Sequence, residues 1–192
     1  MLQNAFANPG LAVAANFGGG GGQSLFALAA GWGLGERILL SAAAGAQRAN
    51  DATRGAYGGR ASMNAWTSAG GGGSLGVAAF AGVGGAPRTR SDGVMTNAAI
   101  FTIPVGLSLG YRKNLGTTRG ISAYASPMYR WTRLTTDDDG TVSDSNFRFA
   151  LGLDFSFNPS LGVTVGGEFG SRSSEGSSTL GAAVSWVPGG RG

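Results

Sequence analysis

The chain has 192 residues, 37 of them glycine, and only 12% are charged, against about 25% in ordinary soluble domains. Cysteine and histidine are both absent. That excludes a disulfide framework, thiolate or imidazole metal ligation, and the commonest general base. The net charge of +4 comes almost wholly from singly scattered arginines, with Lys113 the one lysine, so the basic balance leaves no nucleic-acid footprint.

No apolar run reaches the length of about 18 residues that a transmembrane helix needs. Met1–Asn4 has neither a charged nor an apolar leader region, so no signal peptide is read there; export would require one removed before Leu2. Residues 1–10 are expected to form a short arm. After it, large apolar side chains recur at every second position, the period of a β-strand, and helical spacing is nowhere sustained.

Ten strands follow in order. Leu11–Phe17 carries Leu11, Val13, Ala15 and Phe17 on one face, and Ser24–Gly33 carries Phe26, Leu28, Ala30 and Trp32. Arg37–Gln47 carries Ile38, Leu40 and alternate alanines. Ala56–Thr67 carries Tyr57, Gly59, Ala61, Met63 and Ala65. Ser74–Gly84 carries Leu75, Val77, Ala79, Ala81 and Val83. Ala98–Arg112 carries Phe101, Ile103, Val105, Leu107, Leu109 and Tyr111. Ile121–Arg133 carries Ile121, Ala123, Ala125, Tyr129 and Trp131. Phe147–Phe157 is the clearest, with Phe147, Phe149, Leu151, Leu153, Phe155 and Phe157 on one face. Leu161–Phe169 carries Leu161, Val163, Val165 and Phe169. Thr179–Val187 carries Leu180, Ala182, Val184 and Trp186. Pro104 and Pro127 each lack a ladder donor, so bulges or irregular pairing are expected at both.

The opposite faces are small or polar, and charge enters them at Arg37, Arg60, Arg112, Arg130, Arg148, Asp154 and Glu168. Strands alternating apolar-out and polar-in define a closed, up-and-down, antiparallel transmembrane β-barrel, all-β, of about ten strands within bounds of eight to twelve. The chain reads as one such domain over residues 1–192, ending in a tail at 188–192. Odd connections (Gly18–Gln23, Arg48–Gly55, Gly85–Asn97, Leu134–Ser145, Gly170–Ser178) read as mostly longer than even ones. Outer-membrane barrels have short periplasmic turns and longer external loops, which puts both termini on the periplasmic side. With that orientation Phe17, Tyr57, Tyr129, Trp131, Phe147 and Phe169 fall at external strand ends. Trp32, Tyr111, Phe155, Phe157 and Trp186 fall at periplasmic ends. Two aromatic girdles around an aliphatic band mark membrane interfaces.

The last strand, T-L-G-A-A-V-S-W, resembles the terminal strand of bacterial outer-membrane barrels in Thr179, Gly181, Val184 and Trp186. The resemblance implies an assembly signal read by the barrel-assembly machinery, with Trp186 as the terminal aromatic. The tail from Val187 to Gly192 departs from the pattern, because that aromatic usually ends the chain. Asn8-Pro9-Gly10 also resembles the segment before strand one of fatty-acid-transporter-like barrels. The chain is too short for those larger barrels, and their ligand is not carried over.

The candidate site is the lumen: Arg60, Tyr124, Arg130, Arg148, Asp154 and Glu168. A tight turn at Asn158–Ser160 places Glu168 opposite Ala150 and diagonal to Arg148, within reach of long side chains. Two readings stand, an anion-biased constriction and a salt-bridge brace that fills the lumen. Asp137–Asp139 with Asp144 lacks the spaced ligands of a calcium loop and reads as a solvated acidic loop. The glycine runs lack the Lys-Ser/Thr of a phosphate loop. Without histidine, and with Lys113 in a turn, no catalytic constellation, metal or cofactor is expected. The expectation is a non-enzymatic, porin-like barrel of the Gram-negative outer membrane with lipid and the assembly machinery as partners. The alternatives are a non-conducting scaffold or surface-interaction protein acting through its loops, and a soluble β-barrel binding protein with its apolar face inward.

Overall fold

The computed structural model describes residues 10–20, 22–49, 52–87, 89–91, 94–96, 98–136, 140–170 and 178–188. Among them there is no helix, and twelve strands: β1 (Gly10–Gly20), β2 (Gln23–Leu34), β3 (Ile38–Ala49), β4 (Ala52–Gly70), β5 (Gly73–Ala86), β6 (Thr89–Ser91), β7 (Val94–Thr96), β8 (Ala98–Asn114), β9 (Gly120–Thr136), β10 (Thr141–Ser156), β11 (Leu161–Gly170) and β12 (Thr179–Trp186). Ten of them form one closed barrel in which chain neighbours pair antiparallel, and β6–β7 is a separate two-stranded hairpin. The barrel is sealed by β1 against β12, from Val13 opposite Trp186 to Gly19 opposite Leu180. The expected meander of about ten strands is thus the observed fold; the β6–β7 hairpin was not legible in the alternation.

Paired residues followed from Arg54 of β4 through Gln47, Leu25, Gly18, Gly181, Gly166, Gly152, Tyr124, Gly110 and Gly76 return to β4 at Thr67. This offset is the stagger that closure requires, and it tilts the strands by about 35–45° from the barrel axis. Most of that spiral row is glycine, which keeps the interior wall thin where the row crosses it.

The apolar face points outward. Leu28 (60%), Trp32 (60%), Leu151 (44%) and Leu180 (62%) are among many large apolar side chains left exposed, while Ser108, Ser126 and Arg148 are buried inside. A soluble barrel packs such a face into its core, so that alternative does not describe this molecule. A surface this apolar is unstable in water and suited to hydrocarbon, where closure also leaves no unpaired sheet edge.

The expected aromatic ends are occupied as two belts. Phe17, Tyr57, Tyr129, Phe147 and Phe169 are exposed toward one end, and Trp32, Tyr111, Phe157 and Trp186 toward the other. Trp131 and Phe155 are only partly exposed, each packed edge-on against a neighbouring ring, Phe101 at 6.3 Å and Phe157 at 4.8 Å. Phe26, 5.1 Å from Phe17, extends the first belt.

Four expectations change in the structure. First, the β4 alternation slips by one residue at Ala65, where the register shifts between Asn64 and Trp66. The bulge turns Trp66 outward opposite Val77, adding it to the second belt. Second, the expectation at the prolines is narrowed and not overturned: both bring irregular pairing, and neither brings a bulge. The β5–β8 ladder is interrupted between Ala81–Val105 and Gly84–Thr102, and the β8–β9 ladder between Gly106–Met128 and Leu109–Ala125, with the register intact on both sides. Each proline lacks one donor, so it opens the ladder toward one neighbour and keeps it toward the other. Third, Arg37 lies in the turn at residues 35–37 rather than on the inner face.

Fourth, the loop asymmetry narrows to two connections: β5 to β8, which holds the β6–β7 hairpin, and β11 to β12 stay longer than any even connection, while the other three odd ones shorten. Pairing continues to Gly20–Gln23, Ala49–Ala52 and Thr141–Thr135, so residues 21–22, 50–51 and 137–140 are short connections. The even connections are equally short, at residues 35–37, 71–72, 115–119 and 157–160. Backbone pairing needs no apolar alternation, so strands outrun the hydropathy signal once they leave the apolar band. β4, at 19 residues, is far longer than a membrane crossing requires. Gly71 and Gly72 have φ of 60° and 80°, the conformation that a two-residue hairpin turn demands. At the β10–β11 turn, Asn158 Oδ1 accepts from the backbone N–H of Ser160 and of Leu161, both at 2.8 Å. The expected arm at residues 1–9, the run Asp137–Asp139 and the tail beyond Pro188 lie outside the described residues.

Candidate functional site

The end holding residues 21–22, 50–51, 137–140 and the β6–β7 hairpin is here the loop end; the other, where β1 starts and β12 finishes, is the turn end. The inner surface is uneven around the barrel. Large inward side chains come from β4, β5 and β8–β11, whereas β12 and β1–β3 present mostly alanine, glycine and serine. The one longer polar side chain in the middle of that small-residue wall, Asn16, folds back on it, donating from Nδ2 to the Ala27 carbonyl at 3.3 Å.

Toward the loop end, β9, β10 and β11 bring three of the sequence-predicted residues together. Ala150 pairs with Glu168, as the tight turn requires, and Asn146 pairs with Arg130. Glu168 Oε1 accepts from Arg130 Nη2 and from Arg148 Nε, so one carboxylate oxygen is shared by two guanidinium groups. Arg148 is buried, with its side chain 6% exposed, while Arg130 and Glu168 keep 27% and 20% and so remain accessible to solvent.

Arg60 stands apart from this group. β4 and β11 are five strands apart in the ten-strand circuit, so Arg60 faces the lumen from the opposite wall to Glu168. Its guanidinium carbon lies 3.7 Å from the centroid of the Phe80 ring, an inward residue of β5 that is 5% exposed. Phe80, Met128 and Ala150 make a dry cluster at the middle of the barrel. Gly106 lies between Phe80 and Met128 in the register and makes room for both. Beneath them Ser126 Oγ donates to Ser108 Oγ at 2.9 Å, with both residues at 0% exposure.

Tyr124 is buried one step toward the turn end. Its ring lies over Gly152 and Gly166; a Cβ at Gly152 would overlap the ring, and one at Gly166 would stand 3.0 Å from the hydroxyl. Near the turn end Asp154 is held by Ser122 Oγ, 3.0 Å from Oδ2, and by Thr164 Oγ1, 2.5 Å from Oδ1. Asp154 and Glu168 therefore belong to separate layers. Phe80 and Met128 were missed in the sequence, although the signal was present. Alternation that puts Ala79 and Ala81 outward leaves Phe80 as a large apolar residue on the small face.

In the terminal strand, Val184 and Trp186 are exposed on the outer face. Thr179 and Gly181 alternate with these apolar positions. Among the described residues, no group of three or more acidic side chains is arranged to hold a metal ion.

No protein-family model matches the chain, and no curated protein matches it. Among solved structures it is similar to the N-terminal β-barrel domain of Pseudomonas aeruginosa OprF, with 10% identity over 94% of this chain and 98% of that one and a TM-score of 0.42. It is also similar to the outer membrane protease OmpT from Escherichia coli, with 10% identity over 95% of each chain and a TM-score of 0.41. The KdgM porin matches with 8% identity over 92% of this chain and 98% of that one, and a TM-score of 0.40. These are small bacterial outer-membrane β-barrels of differing activity, and the likeness is one of architecture.

Proposed function

We propose that this protein is an integral β-barrel of the bacterial outer membrane, both termini periplasmic, whose lumen is a narrow passive path for small anions. The observation that carries the reading is the charge of the lumen: Arg60, Arg130 and Arg148 stand against Glu168 in its middle and loop-end layers. A ring of arginines in a low-dielectric passage favours anions over cations. The small-residue wall of β2 and β3, where Ala29, Ser41 and Ala43 keep partial exposure, leaves room for a path beside the bulky side chains of the other wall. The reading is non-enzymatic, and Thr179, Gly181, Val184 and Trp186 are the residues we assign to recognition by the assembly machinery.

A second reading, a closed scaffold, is favoured by the dry Phe80–Met128–Ala150 cluster. Planar-bilayer recording of the refolded protein separates the two. The anion path predicts discrete current steps and an anion-selective reversal potential that strengthens in Glu168→Gln and weakens in Arg148→Ala. Absence of steps, or steps indifferent to both substitutions, leaves the scaffold.

A further inference from the structure

We infer that the Arg60–Phe80 stack is the constriction of the lumen, with the ring setting the bore and holding the guanidinium at mid-height as the anion-selecting group. This rests on the anion-path reading above and moves its narrowest point away from the Arg130–Arg148–Glu168 cluster, which lies nearer the loop end.

Three observations converge on it. Phe80 sits near the middle of β5, paired with Ser62 on one side and Gly106 on the other. Its ring joins Met128 across Gly106 to fill the β5–β9 side of the lumen. Behind it, Ala78 is 2% exposed and Ser108 0%, so nothing passes on that side. The strand facing β5 across the circuit is β12, which offers only Gly181, Ala183 and Ser185 inward at the corresponding depths. Ala183 and Ser185 are themselves buried, whereas Ala29 and Gly31 of β2 and Ser41 and Ala43 of β3 keep partial exposure, so the open part of the section is bounded by the Arg60–Phe80 pair and the β2–β3 wall. The Arg60 guanidinium lies on the ring face at 3.7 Å, a placement that uses the electron-rich face of the aromatic to steady a desolvated cation.

The chain has no cysteine, so a single introduced thiol reports access without background. Ala78→Cys is made alone and with Phe80→Ala, refolded into lipid vesicles, checked for folding by heat-modifiable gel mobility, and treated with a small sulfonate-bearing thiol reagent. Ala78→Cys alone should be protected, and Phe80→Ala should raise its labelling rate many-fold. In bilayers Phe80→Ala should raise unit conductance several-fold while keeping anion preference. Phe80→Leu, which keeps apolar bulk but removes the ring face, should change conductance little and reduce anion preference. Equal labelling with and without Phe80, or a Phe80→Ala conductance equal to that of the unsubstituted protein, overturns the constriction. If nothing conducts yet labelling still depends on Phe80, the constriction stands and the through-path falls. If the constriction fails, Glu168→Gln still tests the anion path independently.

Discussion

The outward direction of the apolar face can be tested at Leu151. It lies on β10 four residues from Phe147 and four from Phe155, which belong to opposite aromatic belts. At about 3.3 Å rise per residue and a tilt of about 40°, each belt residue is about 10 Å from Leu151 along the barrel axis. Leu151 therefore sits at the centre of the apolar band, with its side chain 44% exposed. An arginine there has no polar partner and must draw its charge toward an interface. Leu151→Arg should cost about 2–4 kcal/mol, the depth-dependent penalty for a lipid-facing cation at the midplane. Ser145 points the same way on the same strand but lies beyond Phe147, and Ser145→Arg should cost about 0–1 kcal/mol. The assay is equilibrium urea unfolding in lipid vesicles, followed by the fluorescence of the four tryptophans. Equal costs at the two positions would refute the lipid-facing assignment, because depth would then play no part.

Interior packing makes further predictions. Gly152→Ala should lose about 1–3 kcal/mol by driving a methyl group into the Tyr124 ring. Adding Tyr124→Ala should recover part of that loss in a double-mutant cycle, and strict additivity would contradict the contact. Gly106→Ala should be as damaging, but Met128→Ala should not rescue it. There the new Cβ overlaps the Pro127 carbonyl as well as standing 2.8 Å from Met128 Cβ, and the backbone cannot be removed. Glu168→Gln leaves two guanidinium groups without their shared carboxylate. Breaking a fully buried pair costs more, but partial exposure of Arg130 and Glu168 should hold the loss to about 1–3 kcal/mol in the same unfolding assay.

Much of the barrel was legible because a lipid-facing strand writes its orientation at every second residue. Phe147–Phe157 shows it without ambiguity, and the same period carries through Pro104 and Pro127 because a missing donor breaks a rung and not the register. The signal failed where the physics behind it stops. Above the apolar band nothing obliges the outer face to be greasy, so Arg48–Gly55 and Leu134–Ser145 looked like loops although most of their length is paired. At Ala65 a single extra residue flips the face, and Trp66 appeared to point inward.

Within the site, the β10–β11 register followed from the turn at Asn158–Ser160, and with it the approach of Glu168 to Arg148. Alternation along the chain therefore carried the outward face, the strand order, the two aromatic ends and, Arg37 apart, the charges it sent inward. The closed tertiary structure added that Arg130 joins Arg148 on the Glu168 carboxylate. Closure with its stagger sets Arg60 across the lumen from Glu168, and Gly106 lets Phe80 and Met128 touch over the strand between them. Gly152 and Gly166 receive the Tyr124 ring. Those outcomes depend on side-chain volumes competing for one enclosed space, a competition that alternation along a single strand does not encode.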